Sequence, residues 1–165
     1  MIKSGAGPTI TNYDGLILIQ IDQVEDNRHA SMTTWAKPLR DDLYEISRPL
    51  SLISGFDVGD VVKAIASSGQ TTPTVIEIIQ KGGYRTLHVA FIKGVSIDHQ
   101  QAILDELRKW NATYEMSFER FYTVVVPQVD YDAICEYLKS SSSAVLRFEP
   151  DVDISTLILS RFLES

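Results

Sequence analysis

The side chains that most often carry out covalent chemistry are widely separated in this sequence. The three histidines, His29, His88 and His99, form no local metal-binding motif, and none stands at zinc-ligand spacing from the lone cysteine, Cys135. Cys135 falls on the apolar face of a predicted helix, where a thiol acts as a small hydrophobic side chain. No nucleophile elbow, Walker loop or dinucleotide fingerprint occurs. We therefore predict that the protein is not an enzyme and uses no metal ion or cofactor.

Two short segments come closer to a reactive site. Asp41 and Asp42 are adjacent carboxylates, but they fall in a predicted turn, where acidic side chains point into water. A general acid and a general base need unequal, partly desolvated surroundings, which a turn does not supply. Segment 81–85 places a glycine pair between two basic residues and could offer amides and positive charge to a phosphate. A hairpin turn is the simpler interpretation of that segment.

Acidic residues are concentrated at two places in the sequence. The simple interpretation is that they are solvated and that one of them caps a helix. The alternative is a docking surface for the arginine and lysine side chains of a basic protein, because opposite charge speeds association. The residues of this candidate binding surface are Asp41, Asp42 and Glu45 in the first group and Glu149, Asp151 and Asp153 in the second.

The composition excludes several classes of protein. Of 165 residues, 44% are hydrophobic and 22% are charged, which is typical of one globular domain. The formal net charge of −7 repels phosphate backbones, so we predict no nucleic-acid partner. The apolar runs are far shorter than the roughly 20 residues of a membrane span, and the start of the chain lacks the features of a secretory signal. With a single cysteine, these features predict a cytoplasmic protein that does not bind membranes.

The apolar periodicity predicts an α+β fold. Residues 1–13 are predicted to be a flexible leader and residues 14–165 a single domain with two subregions, about 14–85 and about 86–150. Short apolar segments separated by turn residues predict an antiparallel, β-barrel-like first half. Its predicted strands are 16–21, 33–37, 43–47, 59–65 and 75–80, with a hairpin at 35–47 and another that pairs 75–80 with 86–92.

The second half is predicted to run strand, helix, strand, strand, helix, strand, which is the ferredoxin-like βαββαβ order. The first helix is predicted to start at an N-cap on Asp98. The second is predicted to start at Asp130, with a hydrophobic staple between Val129 and Ile134. Apolar residues at helical spacing after Pro150 predict a short C-terminal helix, which either packs on its own domain or forms the surface for a homodimer or another partner.

Three segments in this order carry a family resemblance: residues 34–39 (TWAKPL), 42–46 (DLYEI) and 58–62 (VGDVV). They resemble the bacterial family known as domain of unknown function 4265, in which a tryptophan strand leads into a glycine-tyrosine hairpin, a Gly-Asp-x-Val segment and a two-helix half. The likeness covers roughly residues 16–150. Because the family has no assigned activity, the resemblance implies the fold and a bacterial origin but no reaction.

Small size, acidity and the missing catalytic motifs together favour a non-enzymatic protein-binding domain. Its most concrete form is an immunity or antitoxin-like protein that neutralises a basic bacterial toxin through the acidic surface. The first alternative is a regulatory domain that holds a small molecule between its helices and its sheet. The second is a hydrolase in which His88 or His99 meets a carboxylate or Cys135 in a cleft.

Overall fold

The computed structural model describes residues 15–25, 27–50, 53 and 55–150. The predicted leader and the predicted C-terminal helix, with its alternative role in a homodimer, lie outside these residues. Within them the fold is α+β and consists mostly of strands, as predicted.

The chain divides into two compact units between Gly82 and Gly83. The first unit contains a closed, five-stranded barrel, which confirms the predicted barrel-like sheet. Its strands are β1 (Ile17–Glu25), β2 (Arg28–Pro38), β3 (Leu43–Ile46), β4 (Val61–Ile65) and β5 (Thr74–Gln80).

The barrel is a meander whose first and last strands meet. Consecutive strands pair antiparallel, and a parallel contact between Gln20 and Thr74 joins β1 to β5. The backbone N–H of Gln20 also donates to the Pro73 carbonyl oxygen at 2.8 Å. Alternate residues of a strand face the same side, so Ile19 and Ile21 enter the barrel core and are buried. β1 and β2 are longer than predicted because their pairing continues through polar residues.

The second unit holds a four-stranded antiparallel sheet and, in the part of it that the structure describes, two α-helices. Its elements are β6 (Tyr84–Phe91), α1 (Ile97–Arg108), β7 (Thr113–Phe118), β8 (Phe121–Pro127), α2 (Tyr131–Ser140) and β9 (Val145–Pro150). The strands lie side by side in the order β7-β8-β6-β9. A single turn of 3-10 helix, Gln128–Asp130, precedes α2.

One core joins both helices to the sheet of this unit. Leu87 and Val89 of β6 pack with Leu104 and Leu107 of α1 and with Ile134 of α2. All five are buried, and burying an aliphatic side chain of this size stabilises a fold by about 1.5–3 kcal/mol. Neither helix has the length and the apolar character needed to span a membrane.

The helix starts differ from the predicted ones. The N-cap of α1 is Ser96, whose hydroxyl accepts the backbone N–H of His99 at 3.1 Å, so Asp98 lies inside the first turn and the predicted cap was wrong. Asp130 does precede α2, but its side chain makes no capping hydrogen bond. The predicted staple was also wrong, because Val129 is 91% exposed in the 3-10 turn and does not reach the core.

The predicted hairpin between β5 and β6 does not form. β5 pairs within the barrel, whereas β6 pairs with β8 and β9 in the other sheet. The unit boundary falls within the glycine pair, and each glycine is bonded within its own unit. Gly82 donates to Asp60 Oδ1 at 2.8 Å, and the Gly83 carbonyl oxygen accepts the Gln128 N–H at 2.8 Å. A Cβ on Gly82 would overlap the backbone of Gly59, so this residue must be glycine. The local turn pattern was recognised correctly, but its pairing partners were not.

Candidate functional site

The predicted acidic hairpin exists, and Asp41 and Asp42 lie exposed at its end, which we call the acidic tip. The turn is closed by two backbone hydrogen bonds of 2.9 Å, from Leu39 to Leu43 and from Leu43 to Arg40. Asp41 has a φ of 50°, a left-handed conformation that aspartate tolerates better than most residues. The backbone therefore holds both carboxylates in a defined place.

The tip is also fastened to the neighbouring strand. The Asp42 carbonyl oxygen accepts the Ala64 N–H of β4 at 2.9 Å. Burial, and then the negative charge of Asp42, raise the pKa of Tyr44, so the field of the tip reaches β3. Glu45 is half-buried in β3, opposite Lys37 of β2. The first acidic group is thus brought together, although Glu45 faces a cation of its own sheet.

The second predicted group can be followed only in part. The structure describes the backbone of Glu149, in β9 beside His88, but not its side chain. Asp151 and Asp153 lie outside the described residues. The acidic surface predicted at this end of the chain stays a prediction.

A buried ionic cluster in the barrel unit, formed by Asp57, Asp60 and Lys81, was not predicted. The Lys81 ammonium donates to Asp60 Oδ2 at 2.6 Å and to Asp57 Oδ2 at 3.0 Å. The Asp60 side chain is fully buried, the Asp57 side chain nearly so, and the Lys81 side chain is 53% exposed. Asp60 also accepts two backbone amides, Gly82 N–H on Oδ1 and Asp57 N–H on Oδ2 (2.9 Å).

This cluster is satisfied within itself, which limits its chemistry. Burial disfavours a charged Lys81, but the hydrogen bonds and charges of Asp60 and Asp57 outweigh burial and raise the pKa of Lys81 above its ordinary 10.5. The amine therefore stays protonated and is not a nucleophile at neutral pH. Because Lys81 and the Gly82 amide are both engaged by carboxylates, neither is available to a phosphate, and segment 81–85 does not form the anion site considered above.

The histidines and the cysteine of the hydrolase alternative lie on three different elements of the second unit. His88 is buried in β6, His99 is exposed on α1, and Cys135 is half-buried on α2. Across the described ranges, no three histidine, cysteine, aspartate or glutamate side chains are grouped closely enough to hold a metal ion.

The second unit contains an open cleft of about 540 Å³ beside the N-terminus of α1. We call it the α1 cleft. Lys93 and Ser96 line it from the segment before α1, Gln100 from the helix itself, and Glu119 and Arg120 from the turn between β7 and β8. Gln100 is only 2% exposed, and its Oε1 is buried without a hydrogen-bond partner among the described residues.

Comparison with known families gives a decisive match. The family model described as "Domain of unknown function (DUF4265)" matches residues 33–147, which is most of the chain. The chain belongs to this family. The match includes the tryptophan strand and the Gly59-Asp60 segment, so the family resemblance read from the sequence is confirmed.

No curated protein matches this DUF4265 member. Among solved structures it is similar to a crystal structure described as a hypothetical protein from Neisseria gonorrhoeae. The two superpose with a TM-score of 0.67 at 11% identity, over 81% of this chain and 92% of the other. At that identity the likeness shows a shared fold and nothing further.

Sequence reasoning missed two features of this DUF4265 chain. Asp60 was considered only as part of the Gly-Asp-x-Val segment, although a Gly-Asp pair entering a strand places a carboxylate where backbone amides are free. Gln100 was not singled out, because a glutamine on an amphipathic helix normally faces water. The available signal was its position three residues before Ile103, because residues at that spacing lie on the same face of a helix.

Proposed function

We propose that this chain is a non-enzymatic binding protein whose acidic tip docks on a basic protein. In its most concrete form it is an immunity or antitoxin-like protein that neutralises a basic bacterial toxin. The observation that carries the proposal is the exposure of Asp41 and Asp42 on a turn that three backbone hydrogen bonds hold in place.

Rigid presentation of charge favours association in two ways. A turn that is already ordered loses little conformational entropy on binding. Two adjacent carboxylates on a protein of net charge −7 attract a cationic surface over about one Debye length, roughly 8–10 Å at physiological salt. The effect is larger on the association rate than on the dissociation rate.

The state of the buried carboxylates supports binding over covalent chemistry. Acid and base catalysis need carboxylates that can exchange protons with a substrate. Asp57 and Asp60 are instead occupied by Lys81 and by backbone amides. The acidic tip, in contrast, presents two adjacent carboxylates that a partner can reach.

Two finer assignments accompany this proposal. The order β7-β8-β6-β9, with α1 and α2 packed in one core, supports a ferredoxin-like arrangement of the second unit, because the βαββαβ pattern orders its strands in this way. The lone half-buried Cys135 supports a location in the reducing bacterial cytoplasm.

The proposal is tested with the proteins encoded beside this one in its genome. Each basic candidate is purified, and its association with the full chain is followed by stopped-flow fluorescence at increasing salt. We expect nanomolar affinity and an association rate that falls by about tenfold or more between low and high salt. Asp41→Asn combined with Asp42→Asn should lower the association rate several-fold at low salt. Asparagine keeps the shape and also tolerates the left-handed conformation.

The control removes the same charge elsewhere. Asp105→Asn combined with Asp132→Asn changes two exposed aspartates of the second unit, so it alters the net charge equally and leaves the tip intact. The association rate of this control variant should stay close to that of the wild-type chain. Docking at the acidic tip would be contradicted if no candidate bound, or if the association rate changed neither with salt nor in the tip variant.

The α1 cleft favours a second candidate function, the binding of a small molecule by the second unit. Its volume lies within the range of about 300–1,000 Å³ that is usual for ligand sites. A change in the amide signals of residues 95–100 during an NMR screen of small metabolites would support this candidate. Unchanged signals throughout the screen would count against it.

A further inference from the structure

The polar groups around the α1 cleft are of two opposite kinds. Lys93, Arg120 and the start of helix α1 are electropositive, whereas Gln100 Oε1 and the Glu119 carboxylate are acceptors. A ligand that complements both kinds of group must carry a negative group and a hydrogen-bond donor in one compact molecule.

The acceptor side rests on Gln100. Its Nε2 donates to the Val95 carbonyl oxygen at 3.0 Å, which fixes the orientation of the amide and identifies the other atom as the carbonyl oxygen. That Oε1 is buried and has no partner among the described residues, and it belongs to a residue that lines the cleft. An unpaired buried acceptor destabilises a fold by about 1–3 kcal/mol, so a ligand that donates to it gains that interaction.

The anion side rests on the first turn of α1. Ser96 is occupied by the N–H groups of His99 and Gln100, the first on its hydroxyl and the second on its carbonyl oxygen. The N–H groups of Ile97 and Asp98 have no hydrogen bond to any described residue, and the helix dipole favours negative charge there. Lys93 adds an exposed positive charge beside them.

Arg120 is held at the cleft by an unusual backbone. Its φ is 68°, and the other non-glycine residues of positive φ in the described ranges are asparagine or aspartate. A left-handed arginine costs roughly 1–2 kcal/mol. The Phe91 backbone fixes it, since its carbonyl oxygen accepts Arg120 Nη1 at 2.8 Å and its N–H donates to the Arg120 carbonyl oxygen at 2.9 Å.

We propose that the α1 cleft binds a free α-amino acid. The carboxylate lies against the first-turn N–H groups, Lys93 and Arg120, and the ammonium donates to Gln100 Oε1 on the side of Glu119. The inference rests on the second candidate function, small-molecule binding, and is independent of docking at the acidic tip. An inorganic anion would satisfy only the first half of this set, and a simple amine only the second.

The experiment titrates the full ¹⁵N-labelled chain with the standard L-amino acids at millimolar concentration. We expect at least one of them to shift the amide signals of residues 95–100. For that amino acid, the deaminated acid and the carboxamide should each bind more weakly, on the order of tenfold, because each lacks one of the two charged contacts.

Two variants separate the two ends of the ligand. Lys93→Gln should lower the affinity for the amino acid and for its deaminated acid by the same several-fold factor, because both ligands carry the carboxylate. Gln100→Met should lower the affinity for the amino acid but leave the affinity for the deaminated acid unchanged. Lys139→Gln, which alters an exposed lysine outside the cleft, is the matched control and should change neither affinity.

The outcomes distinguish this inference from the function on which it rests. If inorganic phosphate shifts the same amides as strongly as every amino acid does, the cleft is a general anion site and the amino-acid inference is overturned, while small-molecule binding stands. If no metabolite, amino acid or phosphate shifts residues 95–100, both fail.

Discussion

Asp60 in the barrel unit and Gln100 in the second unit are both buried polar side chains, but their surroundings differ. Asp60 receives three donors: the Lys81 ammonium, the Gly82 amide and the Asp57 amide. The Nε2 group of Gln100 donates to the Val95 carbonyl oxygen, whereas its buried Oε1 has no hydrogen-bond partner among the described residues. A polar group whose hydrogen bonds are complete belongs to the architecture of the fold, whereas an incomplete one leaves room for a ligand.

The completed cluster explains why the barrel needs Asp60. Its donors come from the loop before β4 and from the end of β5, so one carboxylate ties together segments that are far apart in sequence. The close approach of Gly82 to Gly59 brings the Gly82 amide within reach. The glycine pair and the Gly-Asp segment therefore serve a single structural purpose.

The largest effect is expected from Asp60→Ala. The change leaves two backbone amides without their acceptor and removes the shorter of the two carboxylate contacts of Lys81. Breaking a buried ion pair typically costs about 3–5 kcal/mol. Urea unfolding of the full chain should show a loss of that size in the free energy of unfolding of the barrel unit.

Asp42→Ala is the matched control for that measurement, because it removes the same atoms from an exposed turn. Its effect should lie within about 0.5 kcal/mol. Equal losses from the two variants would contradict a structural role for the buried cluster.

Most elements of both units could be predicted from local patterns. Alternation and helical spacing located the strands and helices because those periods are fixed by backbone geometry. Pairing between strands is a non-local property. Segment 81–85 has the composition of a hairpin turn, and only the capture of the Gly82 amide by Asp60 shows why β5 and β6 part. The start of α1 was misplaced because Ser96 and Asp98 both suit an N-cap, and the geometry of the preceding turn decides between them.

The candidate sites show the same difference between local patterns, which a sequence reveals, and non-local contacts, which it does not. The acidic tip was predicted because Asp41, Asp42 and Glu45 are neighbours along a single hairpin. The ionic cluster and the α1 cleft were not, since each joins side chains from segments that only the fold brings together. Their contacts depend on tertiary structure, which a single sequence does not state.

A smaller and pH-dependent effect is expected from Lys81→Met. Lys81 is half exposed, so water replaces part of the lost charge, and the loss at neutral pH should be about 1–2 kcal/mol. Because the folded state raises the pKa of Lys81, its contribution is complete below the ordinary amine pKa of 10.5 and is lost as pH rises through the folded value. The stability difference between wild type and variant should therefore be constant from pH 7 to about 10 and shrink above that.

Lys139→Met tests whether this behaviour is special to the cluster. Lys139 pairs with Glu136 on the exposed face of α2, where such pairs contribute about 0.3–0.5 kcal/mol. Urea unfolding over the same pH range should show a small difference for it. If Lys81→Met is no more destabilising than Lys139→Met, the cluster contributes no more than a surface ion pair.

The smallest effect is expected from Gln100→Met, which is also the sharpest contrast with Asp60. The variant loses the hydrogen bond to the Val95 carbonyl oxygen, worth about 1 kcal/mol, but it also removes the unpaired Oε1, which costs a similar amount or more. The free energy of unfolding without ligand should therefore change by less than about 1 kcal/mol. Gln101→Met, on the exposed face of the same helix, gives the baseline for this substitution. A loss of more than about 2 kcal/mol would mean that Oε1 is already satisfied in solution, and Gln100 would then be a structural residue as Asp60 is.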